Sequence, residues 1–577
     1  MSSQRTIRSR WLHCLCVAGI TLFAAFPGHA HMAPMDEARM IGTSAHILVA
    51  TVAGATPRWN DRHNLIVTDY VLAVEDRLRG AAPARLTITI AGGTLDGETH
   101  QTSVSTPLQV GSRYLLFLDD LRQPVFNPVT GGWQGVIREV RGEDGIGYAA
   151  AGESGEILRA AGQNVPFSRF VETLREHVAR LAGAPVPEGP RRSTAGERAK
   201  LPVKELDPAA VHGRPSESAV PRTEQRPEPP PPLLPEVQTG EMQDDPDTAD
   251  LPRAIVDAYR YEHAAGRYVV FNQLPHSFSV SPHDEYMMGT WNKYADLFRI
   301  YAQPTGTWAW GNGVFDLAGF PPNSQMLSQF GQAWSANTLG ITFYRWTTGP
   351  IVEADVALNP AYSWTVDERL ATRPGNPSNF RHTMLHELGH AWGLHHPWET
   401  QNVWWDSVMN YAPQEFRLAT LQADDTTAIR TAYPGISIHD VILSGYRTKD
   451  DPASNNAKYY ASKPTPTSLR AGKSFSLSNS IKIENGGTDN IVNPAIEVYL
   501  VPQRMSWVGN IYLKTVRFSA TVRPFSTAYL NLGSIRVPSS VASGTYFIGY
   551  YFRDSGDGFQ SNNSAWSDWN GTLRVTR

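Results

Sequence analysis

Cysteine is almost absent: the 577-residue chain has two, Cys14 and Cys16, both within its first thirty residues. No disulfide framework can therefore hold the remainder, which is long enough to bury several apolar cores without one. A basic excess is lacking too, with 51 Lys and Arg against 55 Asp and Glu. Nothing in that balance suits a phosphate backbone, so no nucleic-acid partner is expected. Long apolar runs are missing: the run over 17–26 falls well short of the ~20 residues that cross a bilayer, and no membrane span is expected. Residues 183–252 have no Phe, Trp or Tyr but 15 of the 42 prolines, and such a stretch reads as a linker. Gly-Gly-x-Gly-x-Asp nonapeptides are also absent, which excludes a calcium-binding β-roll and leaves a structural calcium unsupported.

What is present divides the rest of the chain. Arg5, Arg8 and Arg10 precede the apolar run and Gly28-His29-Ala30 follows it. Residues 1–30 thus read as a signal peptide cleaved near Ala30, and the mature protein as secreted, extracellular or periplasmic. Residues 31–182 read as a β-rich domain, with strands near 47–52, 65–74, 85–90 and 114–118. A closing helix over 166–181 places Phe167, Phe170, Val171, Leu174, Val178 and Leu181 at helical spacing. Gly92-Gly93 and the strand YLLFL are similar to small secreted barrels of the OB or netrin type. No chemistry converges there, which suits a structural or partner-binding module.

Residues 253–435 alternate strand and helix signals and read as one mixed α/β domain. Strands are expected at 267–272, 341–346 and 351–358, and helices at 284–301, 324–334 and 379–392, the last with Ser378 as N-cap. Trp291, Trp308, Trp310 and Trp334 are expected to pack the core or line a cleft. Residues 436–577 lose the helical signal. Strands near 474–483, 496–501, 511–518 and 545–552, divided by turns such as Asn485-Gly486-Gly487, read as an all-β sandwich. This region resembles immunoglobulin-like adhesion sandwiches of bacterial secreted proteins, which implies surface or matrix binding.

One stretch carries chemistry: RHTMLHELGHAWGLHHPWE. His386 and His390 lie four apart on a helix, so both imidazoles leave one face, as two ligands of one tetrahedral zinc require. Glu387 lies beside them, where a carboxylate reaches the activated water. Gly393 lets the chain turn out of the helix with positive φ and brings His396 round as a third ligand. Three protein ligands leave the fourth position open, the arrangement of a catalytic zinc. His395 adjoins His396 and is the rival for third ligand. His276, His283 and His382 have no metal spacing and read as surface or supporting residues.

The pattern H-E-x-x-H-x-x-G-x-x-H resembles the zinc signature of the metzincin metallopeptidases. DSVMNYAP is similar to their methionine turn and implies that Met409 forms an apolar floor beneath the imidazoles. Tyr411 matches a tyrosine that in astacin- and serralysin-like members stabilises the oxyanion, and an ordinary half-buried tyrosine is the equal alternative. Pro397 and SVMNY look like serralysins, whereas EADVALNP looks like bacterial matrixins. The resemblance implies a twisted five-stranded sheet over two long helices, one catalytic Zn2+, and Glu387 as general base in the hydrolysis of peptide bonds. A protein substrate would lie extended beside an edge strand. The expected function is a secreted zinc endopeptidase, and the alternative is a secreted adhesion protein with incidental or lost peptidase activity. The mature chain has no thiol to block the zinc. Latency would therefore need a carboxylate from Glu241, Asp244, Asp245, Asp247 or Asp250, or cover by the N-terminal region, and a solvated acidic linker is the plainer reading of that run.

Overall fold

The computed structural model of the chain describes residues 35, 37–151, 156–160, 163–181, 308–313, 319–335, 337–347, 351–362, 364–365, 378–394, 396, 408–409, 421–432, 439–450, 457–524, 526–553, 556–557, 562–567 and 571–577, with short paired segments between 242 and 302. After helix α1 (Glu37–Thr43) come the strands β1 (His46–Trp59), β2 (Ile66–Arg79), β3 (Arg85–Ala91), β4 (Gly93–Leu95), β5 (Glu98–Thr102), β6 (Arg113–Leu118), β7 (Val136–Arg141), β8 (Gly147–Ala151) and β9 (Glu156–Ile157). Seven of them form one sheet in the order β3-β2-β1-β6-β7-β8-β9. Successive side chains of a strand point to opposite faces, and here both faces are covered. Ile47 and Val49 of β1 pack with Phe167, Phe170 and Leu174 of α2 (Phe167–Leu181), whereas Leu48, Ala50 and Val52 join Tyr70, Leu72 and Ile90 on the other side. That two-sided burial explains the near-continuous apolar runs. The sheet differs from a five-stranded barrel, since among the described residues no pairing closes β3 onto β9.

The β4–β5 hairpin leaves that sheet and joins a second one. Its order is β11-β10-β5-β4, where β10 is Gly340–Trp346 and β11 is Ile351–Leu358. β5 runs antiparallel to β10, with Thr99 opposite Trp346 and Thr102 opposite Phe343. Arg345 ties three of these strands together, through Glu98 of β5 at 3.4 Å and Glu353 of β11 at 2.7 Å. Behind the sheet, Leu65, Val67, Ala91, Val104 and Phe126 share one apolar cluster with Trp308, Trp310, Met326, Phe330, Trp334, Ile341, Phe343 and Ala357. The rings of Phe330 and Phe343 stack at 4.9 Å. The described part of 253–435 thus contributes two strands to a sheet whose other two come from the N-terminal region.

Helix α3 (Asn323–Phe330) ends on Gly331 at φ 73°, a left-handed position that suits glycine. Helix α4 (Phe380–Ala391) lies against β10 and β11, and every one of its residues is buried. Ser378 is not its N-cap: Ser378–Asn379 pairs in parallel with Trp364–Thr365, and the helix starts immediately after. Helix α5 (Ala423–Ala432) follows. The expected helix over 284–301 lies outside the described residues, apart from a short strand at its end, Ile300–Ala302, which pairs with His276–Phe278. Of the strand expected at 267–272, Arg267–Tyr268 pairs with His263–Ala264.

In the C-terminal region two sheets enclose one apolar cluster. One orders Ser468–Arg470, Leu573–Thr576, Gly544–Phe552, Ala495–Val501 and Ile511–Arg517, and the other orders Met242–Gln243, Thr527–Leu530, Ile481–Asn485 and Val441–Ser444. Val441, Ile483 and Leu530 of the second meet Ile496, Val498, Ile548 and Tyr550 of the first. Two residues of the proline-rich stretch, Met242–Gln243, are thereby paired with Tyr529 and Leu530. The strand expected over 474–483 is divided into Ser474–Leu477 and Ile481–Asn485. Among the described residues no helix is long and apolar enough to cross a membrane.

Candidate metal centre

The i, i+4 spacing on α4 puts the imidazoles of His386 and His390 edge to face, with ring centroids 4.7 Å apart. Gly393 has φ 85°, a conformation that side chains resist. Its N–H donates to the His390 carbonyl at 2.8 Å, and Leu394 N–H returns to the Gly389 carbonyl at 3.0 Å, so the helix closes tightly and the chain reverses. His396 then meets the first two histidines. The three Nε2 atoms lie 3.0–3.1 Å from one another, and the rings are at most 4% exposed.

The tautomers are fixed from outside. His386 Nδ1 faces the Val408 carbonyl and His390 Nδ1 faces the Leu394 carbonyl, each at 2.8 Å. A carbonyl only accepts, so each Nδ1 carries the hydrogen and each Nε2 presents a lone pair. Converging lone pairs repel unless a cation or proton lies between them. The nitrogen separations are close to the ~3.3 Å edge of a tetrahedron with ~2.05 Å metal–nitrogen bonds, so the donor set fits zinc.

Glu387 is fully buried. Its Oε2 accepts hydrogen bonds from Thr342 Oγ1 at 2.6 Å and Ser103 Oγ at 3.1 Å, while Oε1 has no hydrogen-bond partner among the described residues. Removal from water pushes its carboxyl up to about 8, against the hydrogen bonds from Thr342 and Ser103, which favour the charged form. Gly340 gives the room: a β-carbon there would stand 2.9 Å from Glu387 Oε1. Met409 is buried beside Val408, and the turn is held by Asp425 of α5. Asp425 accepts the N–H groups of Val408 at 2.8 Å, Met409 at 3.1 Å and Gln422 at 2.8 Å.

Of the residues singled out by sequence, the structure thus brings His386, His390 and His396 together, with Glu387 on the same helix and the Val408–Met409 turn against His386. Tyr411 and His395 lie outside the described residues. Trp308, Trp310 and Trp334 are core residues, and His382 is buried in α4 rather than at the surface. Ser103, Thr342, Gly340 and Asp425 were not legible in the motif, because each reaches the site from another element. The strand nearest Glu387, β10, has β11 on one edge and β5 on the other, so no further strand can add to it while β5 is in place.

Residues 334–434 match the family model described as Matrixin. No curated protein matches the chain. Among solved structures, the CARDB domain of a Pyrococcus furiosus protein, determined in complex with di-metal ions, is similar at 12% identity over 24% of this chain and 96% of that one, with a TM-score of 0.16. The Matrixin match and the histidine triad together support a metzincin-like domain of zinc-metallopeptidase type within this chain.

Proposed function

We propose that the protein is an exported zinc-dependent endopeptidase in which His386, His390 and His396 hold the metal and Glu387 is the general base. The observation that carries this reading is the convergence of three Nε2 atoms to within 3.0–3.1 Å of one another, with the buried carboxyl of Glu387 on the same helix. Bound zinc would supply a Lewis acid that polarises a carbonyl and lowers the pKa of water towards ~7. The carbonyls of Val408 and Leu394 keep two imidazoles neutral and oriented. Glu387 accepts the proton of the attacking water and passes it to the leaving amine. Met409 forms the floor under the imidazoles, and Tyr411 hydrogen-bonds the oxyanion. The substrates are proteins or peptides, and the C-terminal region binds a surface or matrix as an immunoglobulin-like sandwich. Export through the 1–30 leader belongs to the same reading.

The test is cleavage of casein or gelatin by the full chain. Activity abolished by a chelator, restored by zinc and missing in Glu387→Ala supports the peptidase. Intact zinc content with no cleavage of either substrate would favour the adhesion protein instead.

A further inference from the structure

We infer that Ser103, supplied by the N-terminal region, is a positioning residue for the Glu387 carboxylate. The two residues are 284 positions apart in sequence, and their side chains meet at 3.1 Å. Ser103 continues the β5 ladder beyond Thr102: its N–H donates to the Thr342 carbonyl at 2.9 Å, and its Oγ accepts the Thr342 N–H at 3.0 Å. With a lone pair so engaged, the hydroxyl hydrogen is left to point at Glu387 Oε2. The segment carrying Ser103 is itself held, because Ser105 N–H closes a turn onto the Thr102 carbonyl at 3.0 Å and Ser105 Oγ donates to the Ala91 carbonyl at 2.5 Å.

Thr342 does not make Ser103 redundant. Its single hydroxyl hydrogen is shared between two acceptors, Glu387 Oε2 at 2.6 Å and the Glu387 backbone carbonyl at 2.9 Å. Ser103 is the second donor that pins Oε2, and among the described residues Oε1 has no hydrogen-bond partner. A buried carboxylate with one shared donor is poorly compensated and weakly oriented. Ser103 lies outside the 334–434 stretch that matches Matrixin, so that stretch alone lacks this donor.

The inference rests on Glu387 acting as the base, and the experiment separates the two. Full-length Ser103→Ala, Ser103→Thr, Glu387→Gln and the double variant Ser103→Ala/Glu387→Gln are compared with the wild type for kcat, KM, zinc content and melting temperature. Ser103→Ala is expected to lower kcat roughly 10–100-fold, with KM and zinc content within about twofold of the wild type. Ser103→Thr, which keeps the hydroxyl, should recover most of the loss, and the double variant should be no slower than Glu387→Gln. A crystal structure of metal-free Ser103→Ala should show the Glu387 carboxylate rotated from Thr342. Unchanged kcat in Ser103→Ala, or equal losses in the Ala and Thr variants, would overturn the inference. Faster turnover would overturn it too, and would make the 98–103 segment a cover over the site. A fully active Glu387→Gln would refute the base while leaving the position of the carboxylate in the metal-free crystal as the reading for Ser103. Should Ser103→Ala fail to fold, Ser103→Cys, which keeps the size but donates only weakly, is read in the same assays, and wild-type kcat there would overturn the inference.

Discussion

Asp425 accepts the backbone N–H of Met409 at 3.1 Å, and with its other oxygen the N–H of Val408. Val408 in turn accepts His386 Nδ1, so one buried carboxylate on α5 sets the orientation of the first histidine through a single residue. An Asn at 425 would turn an N–H2 group towards N–H donors. Asp425→Asn should therefore cost about 2–4 kcal/mol in stability, since bonds to a charged acceptor are lost in a buried site. Zinc affinity should fall about 10–100-fold. Melting curves and competition with a chromophoric chelator measure both, and unchanged zinc affinity would detach α5 from the metal centre.

The ligand assignment makes a sharper demand. His386→Ala, His390→Ala and His396→Ala should each lose zinc, as elemental analysis of the purified proteins reports. His395→Ala should retain one equivalent. Stoichiometric zinc in His396→Ala would move the third ligand elsewhere.

His100 makes the joint between β5 and the N-terminal sheet sensitive to acid. Its Nδ1 accepts the Ile66 N–H at 3.1 Å, so its Nε2–H donates to Glu98 at 2.8 Å. The ring sits edge-on between Trp59 and Trp310. Burial lowers its pKa below the ordinary ~6.5, against the pull of Glu98 and with a small push from Arg345. The unfolded chain therefore binds a proton near 6.5 that the folded chain refuses. Stability from this group is full above that pH and is lost as the pH falls below it. Melting temperatures between pH 8 and 5.5 should fall for the wild type. His100→Gln should start lower and vary less across that window, and equal slopes would show that another group governs the acid limb.

Residues 183–252 are the expected point of proteolytic attack, since they have no aromatic anchor. Once nicked there, the two halves should still co-elute in size-exclusion chromatography, because β5 pairs with β10 and thirteen residues from both halves share one apolar cluster. Phe343→Ala, expected to cost about 3–5 kcal/mol, should let them separate. Separation of the nicked wild type would show that the shared cluster does not hold them.

The parts of this site that were legible in the sequence are those written in consecutive residues. His386, Glu387, His390, Gly393 and His396 follow helix geometry and one turn, and φ 85° at Gly393 is what that turn needs. β11 begins and ends at the expected residues, Ile351 and Leu358, because a run rich in Val, Ile, Ala and Leu favours a strand buried on both faces. β5 was not legible: Glu-Thr-His-Gln-Thr has no apolar alternation, and beyond its hairpin partner β4 the strand that holds it lies more than two hundred residues away. Asp425 and Ser103 escaped for the same reason, since a side chain that accepts or donates across the fold leaves no local periodicity.

The shared cluster also bears on how the chain acquires its fold. Ribosomes deliver Leu65, Val67, Ala91, Val104 and Phe126 first, and the residues that cover them, from Trp308 to Ala357, arrive some two hundred positions later. Closing a loop of that size costs about 5 kcal/mol of chain entropy before any contact repays it. In the interval the N-terminal sheet exposes an apolar face and the polar hairpin edge of β5, both of which attract other nascent chains. The architecture therefore favours slow maturation, with a partly folded species that a holding chaperone would recognise, and yields should improve when synthesis is slowed or cooled.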